Sequence, residues 1–230
     1  MKKLLKLIII LFSILFGLGV VAFIGFSIDA YDMYQEALEE KSMEQRIEEI
    51  RTKKGYVTLD NIPVQFKNAI ISIEDHRFEK HGAVDFISIG RAIYRNITEF
   101  DLIEGGSTIT QQFAKNTFFT QERKFTRKIA EIFAAIDLEK VYSKDEIIEM
   151  YMNTIYFGDG YYGIGSASKG YFNKEPIDLT LDELTLLAGI PNAPSVYSLS
   201  NSEELARQRQ KQVINSMIEH GYLKEEEMNF

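Results

Sequence analysis

The most one-sided stretch of the chain is its beginning. Residues 7–28, LIIILFSILFGLGVVAFIGFSI, form 22 consecutive positions without a charge. As a helix rising ~1.5 Å per residue, this run covers the ~30 Å hydrocarbon core of a bilayer. A cleaved signal peptide has a shorter apolar region of ~7–15 residues followed by a small-x-small site, whereas this run leads into FSIDAYDMY, so a retained membrane anchor is expected. Lys2, Lys3 and Lys6 precede the span, and Asp29, Asp32 and Glu36 follow it. The positive-inside rule then predicts a cytoplasmic N-terminus, with everything after residue 28 on the outer face of the cell membrane.

Beyond the span the pattern becomes amphipathic. Residues 31–54 are highly charged, lack Gly and Pro, and place Met33, Leu38, Met43, Ile47 and Ile50 at helical spacing, which predicts a stalk or docking helix closed by Gly55. FISIGRAIYRNI, RKIAEIFAAIDLEKVY and DEIIEMYMNTIYF repeat apolar positions with a period near 3.6, and the pairs Ser143/Glu146 and Thr180/Glu183 have capping-box spacing. Strand signals are confined to short pieces such as GYVTL. A mainly α fold follows, divided into a cytoplasmic tip and anchor (1–28), a helical stalk (29–54), a domain (55–200) and a C-terminal helix and tail (201–230).

Composition narrows the chemistry. The 230 residues are 45% hydrophobic and include no cysteine, which excludes thiol catalysis, Cys-ligated zinc and iron–sulfur clusters. After residue 28, 23 basic side chains face 34 acidic ones, a balance that argues against a general nucleic-acid binder.

Three segments carry candidate chemistry. In IEDHRFEKHGAVDF, residues 73–86, Glu74 closes an apolar helix pattern, where burial can tune a carboxylate toward general acid or base work; a charged helix end with local ion pairs is the bland alternative. His76 and His81 are five apart and His220 is remote, so structural roles are expected for them rather than metal ligation. In GGSTITQQFAKN, residues 105–116, two glycines precede a helix start rich in hydroxyl and amide groups and ending in Lys115, a pattern that offers backbone N–H groups to an anion or simply caps a helix. No Gly-Lys-Ser/Thr follows, which disfavours a nucleotide P-loop. Between Gly105 and Glu131 five basic residues, Lys115, Arg123, Lys124, Arg127 and Lys128, outnumber Glu122 and Glu131, giving a local +3 and a candidate phosphate site. Arg127, Lys128 and Glu131 share a helix face, with Glu131 placed to orient the cations.

At these residues the sequence resembles the peptidoglycan glycosyltransferase family, the lysozyme-like domain of bifunctional penicillin-binding proteins and of monofunctional transglycosylases. The resemblance covers about residues 56–200. EDHRFEKHGAVD, GGSTITQQFAKN, RKIAE, KDEIIEMYMNTIYFGDGYYGIGSASKGYF and LLAGIPNAPSVYSL follow the order of the family's five motifs. One departure is visible: Gly82 directly follows His81, and Ala83 takes the position where the family usually has glycine.

The resemblance implies a lysozyme-like helical fold and polymerisation of lipid II into β-1,4-linked glycan strands by inverting displacement of undecaprenyl pyrophosphate. It implies that Glu74 is the general base and Glu131 the second essential carboxylate. Lys115, Arg123, Arg127 and Lys128 would neutralise the pyrophosphate, while Ser107, Gln111, Gln112, Asn116 and Arg91 would line the cleft. No dedicated metal cage is evident, and magnesium enters only as a companion of the substrate pyrophosphate. The implied partners are lipid II, the growing strand, the membrane and other cell-wall synthesis proteins, with no nucleic acid.

Ile97, Phe100 and Leu102 are candidates for the bilayer surface or for ordinary packing, and the aromatics Tyr156, Phe157, Tyr161, Tyr162, Tyr171 and Phe172 are read mainly as core. The chain ends soon after residues 204–227, which implies a monofunctional enzyme. A glycan-cleaving lytic transglycosylase is the nearest rival and a non-catalytic cell-wall scaffold the second. The basic stretch weighs against cleavage, because a neutral glycosidic bond has no phosphate to neutralise.

Overall fold

The computed structural model describes residues 2–98, 105–119 and 125–227. Among these residues the chain is helical with no strand, as the apolar periodicity requires. Helix α1 (Lys2–Glu40) leaves its apolar positions exposed from Leu4 to Ile28, and Ala30 and Tyr34 are then buried against the domain. The Tyr34 hydroxyl donates to Asp137 Oδ2 at 3.2 Å, which ties the base of the span to helix α6 (Phe125–Val141).

The stretch expected as one stalk helix is two. α1 continues from the membrane segment to Glu40, and α2 (Met43–Arg51) restarts from a capping box in which Ser42 and Gln45 satisfy each other's backbone N–H groups. Helical spacing of apolar residues runs straight through this junction and so hides it; the break is signalled by Ser42 and Gln45. Arg46 fixes the corner by donating to Ala37 O at 2.7 Å, Lys41 O at 3.1 Å and Thr117 O at 3.2 Å. The Lys41 and Thr117 carbonyls lie at helix ends, beyond the regular i,i+4 ladder, and Ala37 O also accepts from the Lys41 N–H.

The core is built around α5 (Ile109–Phe118), which packs between α6 and α7 (Lys144–Thr154). On the other side α3 (Val64–Glu74) packs against α9 (Leu181–Gly189) and α11 (Glu203–Glu219), while α8 (Ile164–Phe172) packs on α7 and the short α10 (Pro194–Tyr197) on α11. Phe66, Phe78, Phe113, Tyr151 and Phe157 are essentially inaccessible, each contributing about 2–3 kcal/mol of apolar burial. The expected capping boxes at Ser143/Glu146 and Thr180/Glu183 start α7 and α9.

The segment GYVTL forms no strand. Val57 instead pairs its backbone with a side chain: its N–H donates to Asn153 Oδ1 at 2.8 Å, and its carbonyl accepts from Asn153 Nδ2 at 2.7 Å. One carboxamide thus supplies the donor and acceptor that a neighbouring strand would.

Helix α4 (Phe86–Thr98) presents an apolar strip to solvent, with Phe86, Ile87, Ile93, Tyr94 and Ile97 all exposed. Phe100 and Leu102 lie outside the described residues. Of the aromatics in the fourth motif, Phe157 is core and Tyr161 packs edge-on against Tyr171, whereas Tyr156 and Tyr162 stack with each other at an exposed position.

Candidate active site

Glu74 is the last residue of α3. Its Oε2 accepts from Gln112 Nε2 at 2.8 Å, and Gln112 Oε1 accepts in turn from the Tyr151 hydroxyl at 3.0 Å. Tyr151 is wholly buried, and burial pushes its phenol well above the ordinary range, with Glu74 and Asp75 adding to the effect. It therefore stays a donor and fixes the carboxamide with its N–H₂ toward the carboxylate. The other oxygen of Glu74, Oε1, is buried without a hydrogen-bond partner among the described residues. A carboxylate held through one oxygen keeps the other available to accept a proton.

Asp75 leaves the helix and joins the two ends of the site. Its Oδ1 pairs with His81 Nε2 at 2.7 Å, and its Oδ2 accepts from the Ile109 N–H at 3.0 Å. Burial opposes the imidazolium of His81, but the hydrogen bonds to Asp75 and to the Gly82 carbonyl outweigh it and raise its pKa. Neither Gly82 nor Ala83 has a positive φ, so alanine is accommodated at the family's glycine position, where its carbonyl accepts from Thr108 Oγ1 at 2.9 Å.

These contacts favour the cap over the backbone anion site as the reading of the start of α5. Its first turn is occupied internally: Asp75 takes the Ile109 N–H, and the Thr108 hydroxyl takes the Gln111 N–H in a capping box. The candidate phosphate site therefore rests on side chains rather than on this helix N-terminus. Gln111 is buried and returns its side chain to the Thr108 N–H at 3.0 Å, so it caps a helix instead of lining the cleft. Asn116 is exposed and stands outside the lining. Gln111 is withdrawn by its capping bond, while Gln112 and Lys115, three apart, share the face that meets the cleft.

Glu74, Gln112, Lys115, Ser107 and Arg91 do line one cleft of about 590 Å³. Gly106 forms part of its wall, and a Cβ there would come within 3.1 Å of the Ile89 backbone in α4, so a glycine permits this close approach. Lys115 has no ion-pair partner among the described residues. Burial pushes its ammonium group below the ordinary lysine range; Lys128 and Arg127 add to this, while Glu131 and Glu74 oppose it.

On α6, Glu131 is 1% exposed, and both its oxygens are engaged, with Arg127 Nε at 3.1 Å and Lys128 Nζ at 2.7 Å. Lys128 also donates to Ser107 Oγ at 2.7 Å, which connects this buried pair to the cleft wall. The arrangement makes Glu131 an anchor for two cations, as its helix spacing indicated. Arg123 lies outside the described residues.

The rear of the cleft holds Arg91, as the resemblance implied, beside groups that the motif reading missed. Arg91 donates to His76 Nε2 at 3.2 Å and to Ser88 Oγ at 3.3 Å. His76 stacks on His220 with ring centroids 4.3 Å apart and planes 12° from parallel. Arg95, Arg209 and Glu219 complete this side. The i,i+4 spacing of Arg95 from Arg91 is a signal that could have found Arg95; Arg209 and His220 come from a distant helix and carry no local signal.

Asp75, His81 and Asp85 bring potential ligand atoms within 4.8 Å of one another. Asp85 is already the cap of α4, accepting from Ile87 N–H, Ser88 N–H, Ser88 Oγ and Arg77 Nε. These bonds outweigh burial and hold its carboxyl down at about 2. The cluster is accounted for by its internal hydrogen bonds.

One cleft thus brings together a carboxylate held through a single oxygen and the cations Lys115 and Arg91. A family model for transglycosylases matches residues 40–218. Penicillin-binding protein 1F of Bacillus subtilis is 47% identical over 171 residues, covering 74% of this chain and 24% of that protein. Penicillin-binding protein 1A of Aquifex aeolicus is 43% identical over 175 residues, covering 76% and 24% respectively. That of Neisseria flavescens is 43% identical over 171 residues, covering 74% and 21%. The chain belongs to the peptidoglycan transglycosylase family, and it spans about a quarter of the length of the curated relatives it matches.

Proposed function

We propose that this protein is a membrane-anchored peptidoglycan glycosyltransferase that polymerises lipid II. The observation that carries the reading is the placement of Glu74, with one oxygen held by Gln112 and the other unpaired, in the same cleft as Lys115 and the Ser107–Lys128 pair. In the transfer, the acceptor's sugar 4-hydroxyl attacks the anomeric carbon of the donor. Its proton passes to Glu74 while the bond from the anomeric carbon to the pyrophosphate oxygen breaks, and the electron pair leaves with the undecaprenyl pyrophosphate. Lys115, Lys128 and Arg127 stabilise the charge developing on that leaving group, and Arg123 is assigned to the same role from its motif position. With base and leaving group on opposite sides of the reacting carbon, the displacement inverts. Magnesium, where present, accompanies the pyrophosphate, and no step is assigned to it.

The anchor supports the same reading. Phe125, at the start of α6, packs edge-on against Phe26 at the end of the apolar run, with ring centroids 5.5 Å apart. Arg127 and Lys128 lie within one turn of that contact, at the depth where a lipid-linked pyrophosphate meets the bilayer surface. Tethering raises the effective concentration of enzyme for a substrate confined to the membrane. The catalytic domain is placed on the outer face, with Lys2, Lys3 and Lys6 in the cytoplasm.

The test is polymerisation of purified lipid II by the detergent-solubilised protein. Wild type is expected to release glycan strands and Glu74→Gln none. Cleavage of preformed peptidoglycan with lipid II untouched would replace the assignment by a hydrolytic one, and neither activity would favour a scaffold.

A further inference from the structure

The hairpin that follows α7 presents two tyrosines that the proposed transfer does not use. Tyr156 and Tyr162 face each other across a single antiparallel bridge, with ring centroids 4.6 Å apart and planes 32° from parallel. They are 37% and 54% exposed, and neither lines the cleft that contains Glu74. A lone exposed tyrosine needs no account, but two adjoining rings form a contiguous apolar surface.

The hairpin holds the rings in place. The Phe157 N–H donates to Tyr161 O at 2.9 Å, the Tyr161 N–H to Gly158 O at 2.8 Å, and the Gly163 N–H to Ile155 O at 2.9 Å. Gly158, Asp159 and Gly160 turn the chain with successive φ values of 81°, 52° and 83°, a region that glycine enters without steric cost. From outside, the Tyr171 hydroxyl donates to Phe157 O at 2.8 Å, and Ser200 Oγ donates to Asp159. A surface fixed in advance loses little freedom when a ligand covers it.

Charge and location narrow the ligand. Lys53 Nζ lies 5.8 Å from the centre of the Tyr162 ring, close to the ~6 Å limit of a cation–π contact. Lys53 and Lys54 are exposed and have no carboxylate partner among the described residues. The neighbouring acids are taken, Glu146 by Arg51 at 2.9 Å, and Glu149 by the Tyr56 hydroxyl at 2.5 Å and the Leu59 N–H at 2.6 Å. Helix α6 runs outward from the membrane segment, meeting α1 first at Phe26, then at Tyr31 and Tyr34, and its 17 residues span ~25 Å. Arg51, two residues before Lys53, lies over Tyr142 just beyond the outer end of α6, so the patch stands away from the bilayer. It is connected to the catalytic segment: Phe157 packs on Phe66 at 6.3 Å in the first turn of α3, and Glu74 is the last residue of that helix, ~16 Å along its axis.

We propose that Tyr156, Tyr162 and Lys53 form a holding site for the glycan strand outside the catalytic cleft. The proposal goes beyond the polymerase function and rests on it for the identity of the ligand. Two ring-sized surfaces beside a cation suit the flat C–H face of a sugar that carries an acidic substituent. The C–H groups lie on the negative ring faces, and the Lys53 ammonium takes a carboxylate of the stem peptide. A polymer held at a second point stays near the cleft between transfers, so the site lengthens the strand made before release.

The experiment titrates the solubilised full chain with uncrosslinked glycan strands, intact or stripped of their stem peptides, in the absence of lipid II. The same preparations then polymerise lipid II, and strand length is measured. Tyr162→Leu, which stays apolar but loses the ring, should weaken strand binding roughly three- to tenfold and shorten the product, and Tyr162→Phe should restore both. Lys53→Gln should weaken binding of intact strands and not of stripped ones, while Lys211→Gln, an exposed charge on α11, should match wild type.

Wild-type affinity and product length in folded Tyr162→Leu would overturn the proposal, as would an equal loss in Tyr162→Phe or Lys211→Gln. Equal weakening of intact and stripped strands by Lys53→Gln would overturn the carboxylate contact. A wild type that fails to polymerise lipid II would overturn the proposed function instead, an outcome distinct from active enzyme indifferent to Tyr162.

Discussion

Glu74 at the end of α3 and Glu131 in the middle of α6 are the same side chain in opposite situations. Glu131 is sealed from solvent with each oxygen committed to a cation. Glu74 is partly accessible, bound through one oxygen to a neutral carboxamide, and unpaired at the other. A carboxylate saturated by cations is a poor proton acceptor, whereas one fixed by a neutral donor can be aimed without being neutralised. The difference supports the proposal that Glu74 is the base, while Glu131 holds Arg127 and Lys128 together, although the family resemblance implies an essential role for both.

The largest expected effect separates the two roles. Glu74→Gln should reduce lipid II polymerisation by about 10²–10⁴-fold while changing unfolding free energy by no more than about 1 kcal/mol, read from glycan product and from denaturant unfolding of the same preparation. Loss of both properties together would make Glu74 structural and collapse the distinction.

Lys115→Met, which keeps the apolar stem, should cost roughly 10²-fold in kcat if this cation serves the leaving group. Burial holds Lys115 below the ordinary lysine value of 10.5, so the active, protonated form is lost as pH rises through that lowered value. The alkaline limb of the rate profile should therefore fall earlier than an exposed lysine would give, and Lys115→Arg should move it upward. An unmoved limb would remove Lys115 from that step.

Glu131→Gln should behave in the reverse sense to Glu74→Gln, with stability lost first, by ~3 kcal/mol, because Arg127 and Lys128 are left facing each other without their shared counter-charge. Adding Lys128→Met should recover part of that loss. Equal stabilities for Glu131→Gln and wild type would contradict the anchoring role.

The smallest effect concerns the Asp75–His81 pair behind the base. The pKa of His81 is raised on folding, so its stabilising contribution is complete below the ordinary value of 6.5 and disappears as pH rises through the folded value. His81→Gln should flatten that part of the stability profile, measured as the urea midpoint between pH 5 and 8.

Much of the fold was legible because it is written in local chemistry. The apolar run, the 3.6 periodicity and the Ser143 and Thr180 capping boxes each depend on residues within a few positions of one another. The failures share a cause. Ser42 and Gln45 restart a helix inside one continuous amphipathic pattern, and Asn153 stands in for a strand partner of Val57 from far along the chain. In the site, motif membership grouped Gln111 and Asn116 with Gln112 and Lys115, whereas Gln111 is taken by the cap of α5 and only Gln112 and Lys115 line the cleft.

The sequence by itself determined an apolar span, a mainly helical domain, the family, and the carboxylates and cations from which the site is made. Those properties follow from composition, spacing and motif order along the chain. Only the tertiary structure decided which oxygen of Glu74 is unpaired, that Asp75 takes the Ile109 N–H at the start of α5, that Glu131 is saturated, and that Arg209 and His220 line the same cleft as Glu74. Hydrogen-bond satisfaction depends on partners far apart in the chain, and helix packing is what sets their distances and angles.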